Sequence, residues 1–259
     1  MDCRLIRPIA VNATLRASLT KAEEWGFIPE HPLRKMRPLK TTSNLKIRFL
    51  SEDEEKRLRQ ALDGRDNKLR IDRTNGNAWR EARNRNTKQD LRNVAFADHL
   101  KPMVLLSINT GIRRGEMFSL RWEHVDFGLK QITITGTNAK SRRTRHIPLN
   151  SEALKTLQDW QAQQRAGERL VFTNHRGKQF TDIKTAWNKL ISDACIQDFR
   201  WHDLRHHFAS KLAMNWVDLN TIRELLGHSS YKMTLRYAHL SAGHRADAVE
   251  RITSNFSRE

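Results

Sequence analysis

The sequence predicts a mainly α-helical fold with one small antiparallel β-hairpin. Apolar residues recur at helical spacing along most of the 259 residues, β-branched alternation occurs in "QITITG", and cap and stop residues punctuate the helical runs. With 38% hydrophobic residues, the chain can bury a core of ordinary size in one or two domains.

In "NATLRASLTKAEEWGFIPEHP", Leu15, Leu19, Ala22 and Trp25 share one helical face, and Gly26, Pro29 and Pro32 stop the run. A single amphipathic helix cannot bury that face against itself, so it packs on the rest of the chain or on something preceding it. The basic stretch "PLRKMRPLKTTSNLKIR" reads as a linker, either solvated or tracking a phosphate backbone. A second unit opens at "LSEDEEKRLRQAL", where Ser51 and Glu54 form a capping-box pattern ahead of Leu58 and Leu62. The charge-dense "DGRDNKLRIDRTNGNAWREARNRNTKQDLRN" is expected to be a surface insertion, partly helical at most, without chemistry of its own.

"FADHLKPMVLLSIN" predicts a buried helix running into "TGIRRGEMFSLRWEHVDF". The extended runs in "QITITG" and "TRHIPL", joined by the basic turn "TNAKSRR", predict the hairpin. "EALKTLQDWQAQQ" and "KTAWNKLISDA" are helical, with "RLVFTN" a short extended piece between them. The last part, from "WHDLRHHFAS" to "LRYAHL", predicts three short helices, with Asp218 as N-cap of the second and Gly227 as its stop.

A formal charge of +18 and a pI near 10.5 exceed what solubility requires and favour a polyanionic partner, nucleic acid first. The longest apolar run, "MVLLSI", is far shorter than the ~20 residues a bilayer span needs. The first residues show no apolar signal core, and Cys3 and Cys195 are too few for a disulfide framework. A soluble cytoplasmic chain of bacterial type is expected.

In "HDLRHH", His202 and His206 stand four apart, the spacing of a zinc-protease motif, with Asp203 where a glutamate base belongs. The aspartate is one methylene short, no third ligand is identifiable, and a protease leaves the charge of the chain unexplained, so no metal site is expected. With Arg205 as the partner of His202, the hexapeptide offers a planar fork for a phosphate and a group that moves a proton near neutral pH. Arg113 follows a buried helix, where a cation without a partner is costly, and Lys140 in the hairpin turn is placed to reach a ligand from above. Taken singly, Tyr237 reads as a half-buried packing residue, His228 as a residue at a helix start, and Arg113 as an ion-pair partner of Glu116.

In order and spacing, "TGIRRGEMFSLRW", "NAKSRRTRHIPLN", "WHDLRHHFAS", "ELLGHSS" and "MTLRYAHL" resemble the motifs of the tyrosine recombinase (phage integrase) family over about residues 48 to 240. The resemblance implies a recombinase catalytic domain with a C-terminal tail over 48–259. It makes 1–47 the last helix, expected at 10–28, and the linker of a truncated core-binding, DNA-clamping domain. It carries catalytic roles to Arg113, Lys140, His202, Arg205, His228 and Tyr237, with Glu116 in support. Arg142, Arg143 and Arg145, with Lys178, His206 and His207, are expected to face DNA or solvent, and Trp122 and Trp201 to pack.

The implied reaction is a transesterification on double-stranded DNA at attachment or core sites. Tyr237 attacks the scissile phosphate, giving a 3′-phosphotyrosyl link and a free 5′-hydroxyl, so that no cofactor, metal or ATP is required. Arg113 and Arg205 would hold the non-bridging oxygens, Lys140 protonate the leaving oxygen, His202 assist proton removal from Tyr237, and His228 donate to the phosphate. The cationic pocket is expected to favour the phenolate of a tyrosine whose reference pKa is ~10. The resemblance also implies a homotetramer in the synapse, with the free chain able to be a monomer, no membrane partner, and integration or excision of a prophage or similar mobile element. Two alternatives stay open: a truncated DNA-binding remnant unable to complete recombination, and a DNA-relaxing enzyme of the type IB topoisomerase kind.

Trp216, in "AMNWVDL", stands at a helix-helix turn where glycine is easier, at a cost of about 1 kcal/mol if φ is positive. In the tail, Ala246, Val249, Ile252 and Phe256 make one apolar stripe, expected to dock on a neighbouring protomer or fold back on its own domain.

Overall fold

The computed structural model describes residues 3–36, 47–136, 144–165 and 167–241, with side chains from residue 14 on. Lys140, Arg142, Arg143 and the tail stripe lie outside the described residues. The chain divides into two units, Met1–Lys46 and Ile47–Glu259.

In the first unit, α1 (Cys3–Glu24) starts earlier and ends sooner than the run expected at 10–28, and Gly26 turns the chain at φ +74°. The segment after the turn folds back on the helix through His31, whose Nε2 donates to the Arg16 carbonyl at 3.1 Å while its Nδ1 accepts from the Leu33 amide at 3.0 Å. Trp25 and Phe27 stay exposed.

The second unit is arranged around α3 (Leu100–Thr110), which is buried at nine of its eleven residues, seven of them apolar. Against it pack α5 (Ser151–Ala162), capped by Asn150, and α7 (Asp203–Met214). α2 (Glu52–Glu81) lies on α6 (Lys184–Asp193) and α3, and opens with the reciprocal Ser51 and Glu54 capping box. Arg59 pairs with Glu152 and Arg65 with Asp98, fixing its basal half to the core.

The stretch 63–93 is partly helical, as expected, with the helix confined to its first nineteen residues. α2 runs unbroken to Glu81, and the chain then returns alongside it, tied down by side chains on one helix face. Arg70 donates to the Leu91, Val94 and Ala95 carbonyls, Arg73 to Gln89, and Arg80 to Asn86, while Asn77 bonds both the amide and the carbonyl of Lys88. Positions 70, 73, 77 and 80 fall on one stripe of the helix, so polar bonds stand in for the apolar face the composition lacks.

The hairpin strands β2 (Gln131–Ile134) and β3 (Arg145–Pro148) pair antiparallel, and a two-residue β1 (Val125–Asp126) extends the sheet in the order β1-β2-β3. Ile132, Ile134 and Ile147 point inward, and the two-residue period puts Arg145 on the same buried face as Ile147. "RLVFTN" forms no strand beyond a bridge between Arg121 and Leu170, although Val171 and Phe172 are fully buried.

After α7 the chain turns at Trp216, whose φ is +68°, into α8 (Leu219–Leu226). Asp218 caps α8 by accepting the Asn220 and Thr221 amides, and Gly227 ends it at φ +61°. The expected third helix is two 3-10 segments instead, Tyr231–Met233 and Leu235–Ser241. A second, smaller apolar cluster joins α7, α8 and the last segment through Ala209, Ala213, Ile222, Leu226 and Tyr237. Among the described residues no helix is long and apolar enough to cross a membrane.

Candidate active site

Gly111 ends α3 at φ +59°, and a Cβ there would meet the Phe208 ring at 2.5 Å, so only glycine lets the chain turn this close to α7. Two residues later Arg113 is extended ahead of the short helix α4 (Arg114–Phe118). Glu116 on α4 accepts the Arg113 amide at 3.0 Å and its Nη1 at 2.8 Å, and receives both Arg145 Nη atoms at 3.0 and 2.7 Å. Burial alone would push Glu116 up, but Arg145 and Arg113 hold its carboxyl below the usual range. Glu116 is therefore the anionic support for two cations.

The end of α8 supplies a second support. Three successive carbonyls each accept from a different arginine: Leu225 from Arg145 Nε at 3.2 Å, Leu226 from Arg205 Nη2, and Gly227 from Arg113 Nη2 at 3.1 Å. These are the orphan carbonyls of a helix C-terminus, where partial negative charge accumulates. Arg205, in the first turn of α7, also donates to the Gly111 carbonyl at 2.8 Å. Its burial, then the Arg113 and Arg145 charges, push it down to about 9, so it stays a cation at neutral pH in surroundings that favour an added anion. Three guanidiniums face one carboxylate here, which suits a phosphodiester.

His228 follows Gly227, with Nδ1 2.9 Å from Thr234 Oγ1. Burial, then Arg205 and Arg113, push it down to about 3, which makes it neutral at pH 7. With the Thr234 hydroxyl donating to Nδ1, the neutral ring carries its proton on Nε2, the nitrogen that then donates to a phosphate oxygen.

Tyr237 sits in the 3-10 segment Leu235–Ser241 with 1% of its surface exposed, and its hydroxyl is 2.7 Å from His206 Nδ1. Burial, then His202, push His206 down to about 4, so the ring is neutral at neutral pH, and with its proton on Nε2 its Nδ1 accepts from the phenol. The His202 ring stands edge-on to His206 with centroids 5.2 Å apart. The expected preference for phenolate is reversed in this arrangement. Burial pushes Tyr237 up to about 12, and the opposing effect of Arg205 and Arg236 is smaller.

Four of the six expected catalytic residues, Arg113, Arg205, His228 and Tyr237, are thus brought onto or beside the α8 C-terminus. His202 stands one ring away from the phenol, and Lys140 lies outside the described residues. Arg145, expected to face DNA, has its guanidinium bound by Glu116 and the Leu225 carbonyl and is only 8% exposed, because the sheet period turns it inward. His207, expected at the surface, is buried; its Nδ1 accepts the Leu50 amide, and its Nε2 lies 3.3 Å from Glu55. Lys178 is exposed, while Trp201 packs edge-on to Trp187 and Trp122 stacks on Phe127. Sequence alone assigns His206 no task, although its i, i+4 spacing from His202 puts both on one helix face. An open cleft of about 520 Å³ adjoins Arg113 and His202, lined also by Arg114, Lys184, Trp187 and Arg200.

The "Phage integrase family" model matches residues 83–244. The integrase of Salmonella phage P22 is 31% identical over 170 residues, covering 61% of this chain and 43% of the relative. The integrase of Escherichia phage 186 is 28% identical over 235 residues, covering 90% of this chain and 55% of the relative. Among solved structures, the catalytic domain of bacteriophage HP1 integrase is similar with a TM-score of 0.52 at 26% identity, covering 79% of this chain and 95% of that one. The chain spans about half the length of the curated relatives it matches.

Proposed function

Since the chain belongs to the phage integrase family, we propose that it is a site-specific DNA strand transferase that cuts and rejoins duplex DNA through Tyr237. The observation that carries this reading is the convergence of Arg113, Arg205 and His228 on the end of α8, beside a tyrosine hydroxyl hydrogen-bonded to a neutral histidine. Residues 1–47 fit the last helix and linker of a DNA-clamping domain, and 48–259 a catalytic domain.

Tyr237 Oη forms a bond to phosphorus as the P–O5′ bond breaks, leaving a 3′-phosphotyrosyl link and a 5′-hydroxyl. The phenol proton passes to His206 Nδ1, the group that touches it, rather than directly to His202. The leaving 5′-oxygen takes a proton, the task the resemblance gives to Lys140. Arg113 and Arg205 hold the non-bridging oxygens, and His228 donates to one of them. Attack by a 5′-hydroxyl reverses the step and rejoins the strand. Tyr237 is buried as described, so its short 3-10 segment has to shift before the hydroxyl meets a phosphate. The biological role proposed is integration or excision of a prophage or similar element by a four-protomer synapse.

A covalent trap tests this reading. The protein is incubated with nicked suicide duplexes drawn from DNA flanking its own gene, in the presence of EDTA, and denaturant-resistant adducts are scored. An adduct that Tyr237→Phe abolishes is the expected result. Duplex binding without any adduct would favour the alternative of a DNA-binding remnant.

A further inference from the structure

We propose that the arm formed by residues 67–93 is a second duplex-DNA surface, gripping phosphates outside the site around Tyr237; it rests on the reading of the chain as a DNA strand transferase. Beyond Asp66, α2 continues for fifteen residues to Glu81, about 22 Å at 1.5 Å per residue. No residue from 67 to 90 is buried. The helix interior there contains Thr74, Asn75, Gly76 and Asn77, all poor helix formers. Neither propensity nor an apolar face accounts for this projection. The side-chain ties from Arg70, Arg73, Asn77 and Arg80 to the returning chain give it shape.

The charge of the arm differs from that of the helix base. Near the core, Arg59 and Arg65 each meet a carboxylate. Between 67 and 93 there are eight basic and three acidic side chains, and Lys68, Arg85 and Lys88 have no carboxylate partner among the described residues. Arg83 and Arg85 lie over the Trp79 ring, 4.3 and 5.2 Å from its centroid, which holds both guanidiniums at the far end of the helix. The remaining exposed positions are mostly Asn, Thr and Gln, donors suited to phosphate oxygens. Only Ile71 and Trp79 are large apolar residues exposed on the arm, too few for the apolar centre of a protein interface. Duplex DNA carries one charge per ~1.7 Å of axis, so a rigid cationic rod of this length matches about six base pairs.

The test is the salt dependence of binding to a duplex of about 40 base pairs of arbitrary sequence, between about 50 and 200 mM KCl. The variant combines Lys68→Gln, Arg85→Gln and Lys88→Gln, side chains that make none of the ties, and far-UV circular dichroism checks that the helix content is kept. Losing three phosphate contacts should flatten the slope of log K against log salt by about 2.7, so wild-type affinity falls about 40-fold more than the variant's across that range. Lys155→Gln, an exposed lysine on α5, should leave the slope unchanged. Equal slopes for wild type and arm variant overturn the proposal, as does a Lys155→Gln effect as large as the arm's. A variant that loses self-association at unchanged slope would assign the arm to a second copy of the chain and overturn it as well. A wild type that binds no duplex at low salt sinks the DNA-transferase reading itself, which separates the two failures.

Discussion

The Tyr237 hydroxyl and His206 Nδ1 are 2.7 Å apart, and that distance ties the proton of the phenol to the charge of the ring. A neutral His206 with its proton on Nε2 accepts the bond, whereas a protonated ring can only donate to the phenol oxygen and cannot take up its proton. Because the partner is His206 and not His202, the histidine that touches the phenol lies one turn further along α7.

His206→Gln keeps a hydrogen-bonding group beside Tyr237 but removes the proton acceptor. Adduct formation on a suicide duplex is expected to slow by about a hundredfold, the lower range for loss of a general base, with duplex affinity unchanged. An unchanged rate would return the proton to another route.

Acid should destabilise the fold earlier than carboxylate titration requires. His206 and His228 are held down to about 4 and about 3 against an ordinary value of 6.5, so below that value the unfolded chain binds more protons than the folded one. Their contribution is fully present above pH 6.5 and is lost as pH falls toward 4 and then 3. Urea midpoints measured from pH 7.5 to 4 should decline, and less steeply in His206→Phe.

Glu116→Gln leaves Arg113 and Arg145 without their shared charge partner in a buried position. Breaking such a pair is expected to cost roughly 3 kcal/mol, read from chemical denaturation. A change below about 1 kcal/mol would mean that the α8 carbonyls alone suffice to hold the cations.

Trp216→Gly should stabilise the protein by about 1 kcal/mol, because the residue stands at φ +68° with 48% of its surface exposed. A lower melting temperature would show that the indole contributes more than the backbone strain removes.

The site was legible in the sequence to the extent that motif order carries it. Arg113, Arg205, His228 and Tyr237 are placed by turns whose signals are local: Gly111 after a buried run, Asp218 as a cap, and Gly227 as a stop. Arg145 was not legible, since a basic turn reads as solvent-facing until strand register shows that Arg145 shares the inward side with Ile147. The depressed nucleophile expected for Tyr237 failed because charge type is written in the sequence and burial is not. How far the helix runs into the arm was not legible for a related reason: hydrophobic periodicity finds helices that have an apolar stripe, and α2 beyond Asp66 has cross-chain polar ties instead.

The three arginines that meet the end of α8 read backbone oxygens, and this sets which genetic changes the region tolerates. Exposed positions of α8 such as Asn220 and Thr221 can drift in identity without moving a carbonyl. A one-codon insertion or deletion between Asp218 and Gly227 would rotate the terminal carbonyls by about 100° and shift them by about 1.5 Å, detaching all three guanidiniums together. In lineages descended from this gene, the stretch should accumulate substitutions while its length stays constant.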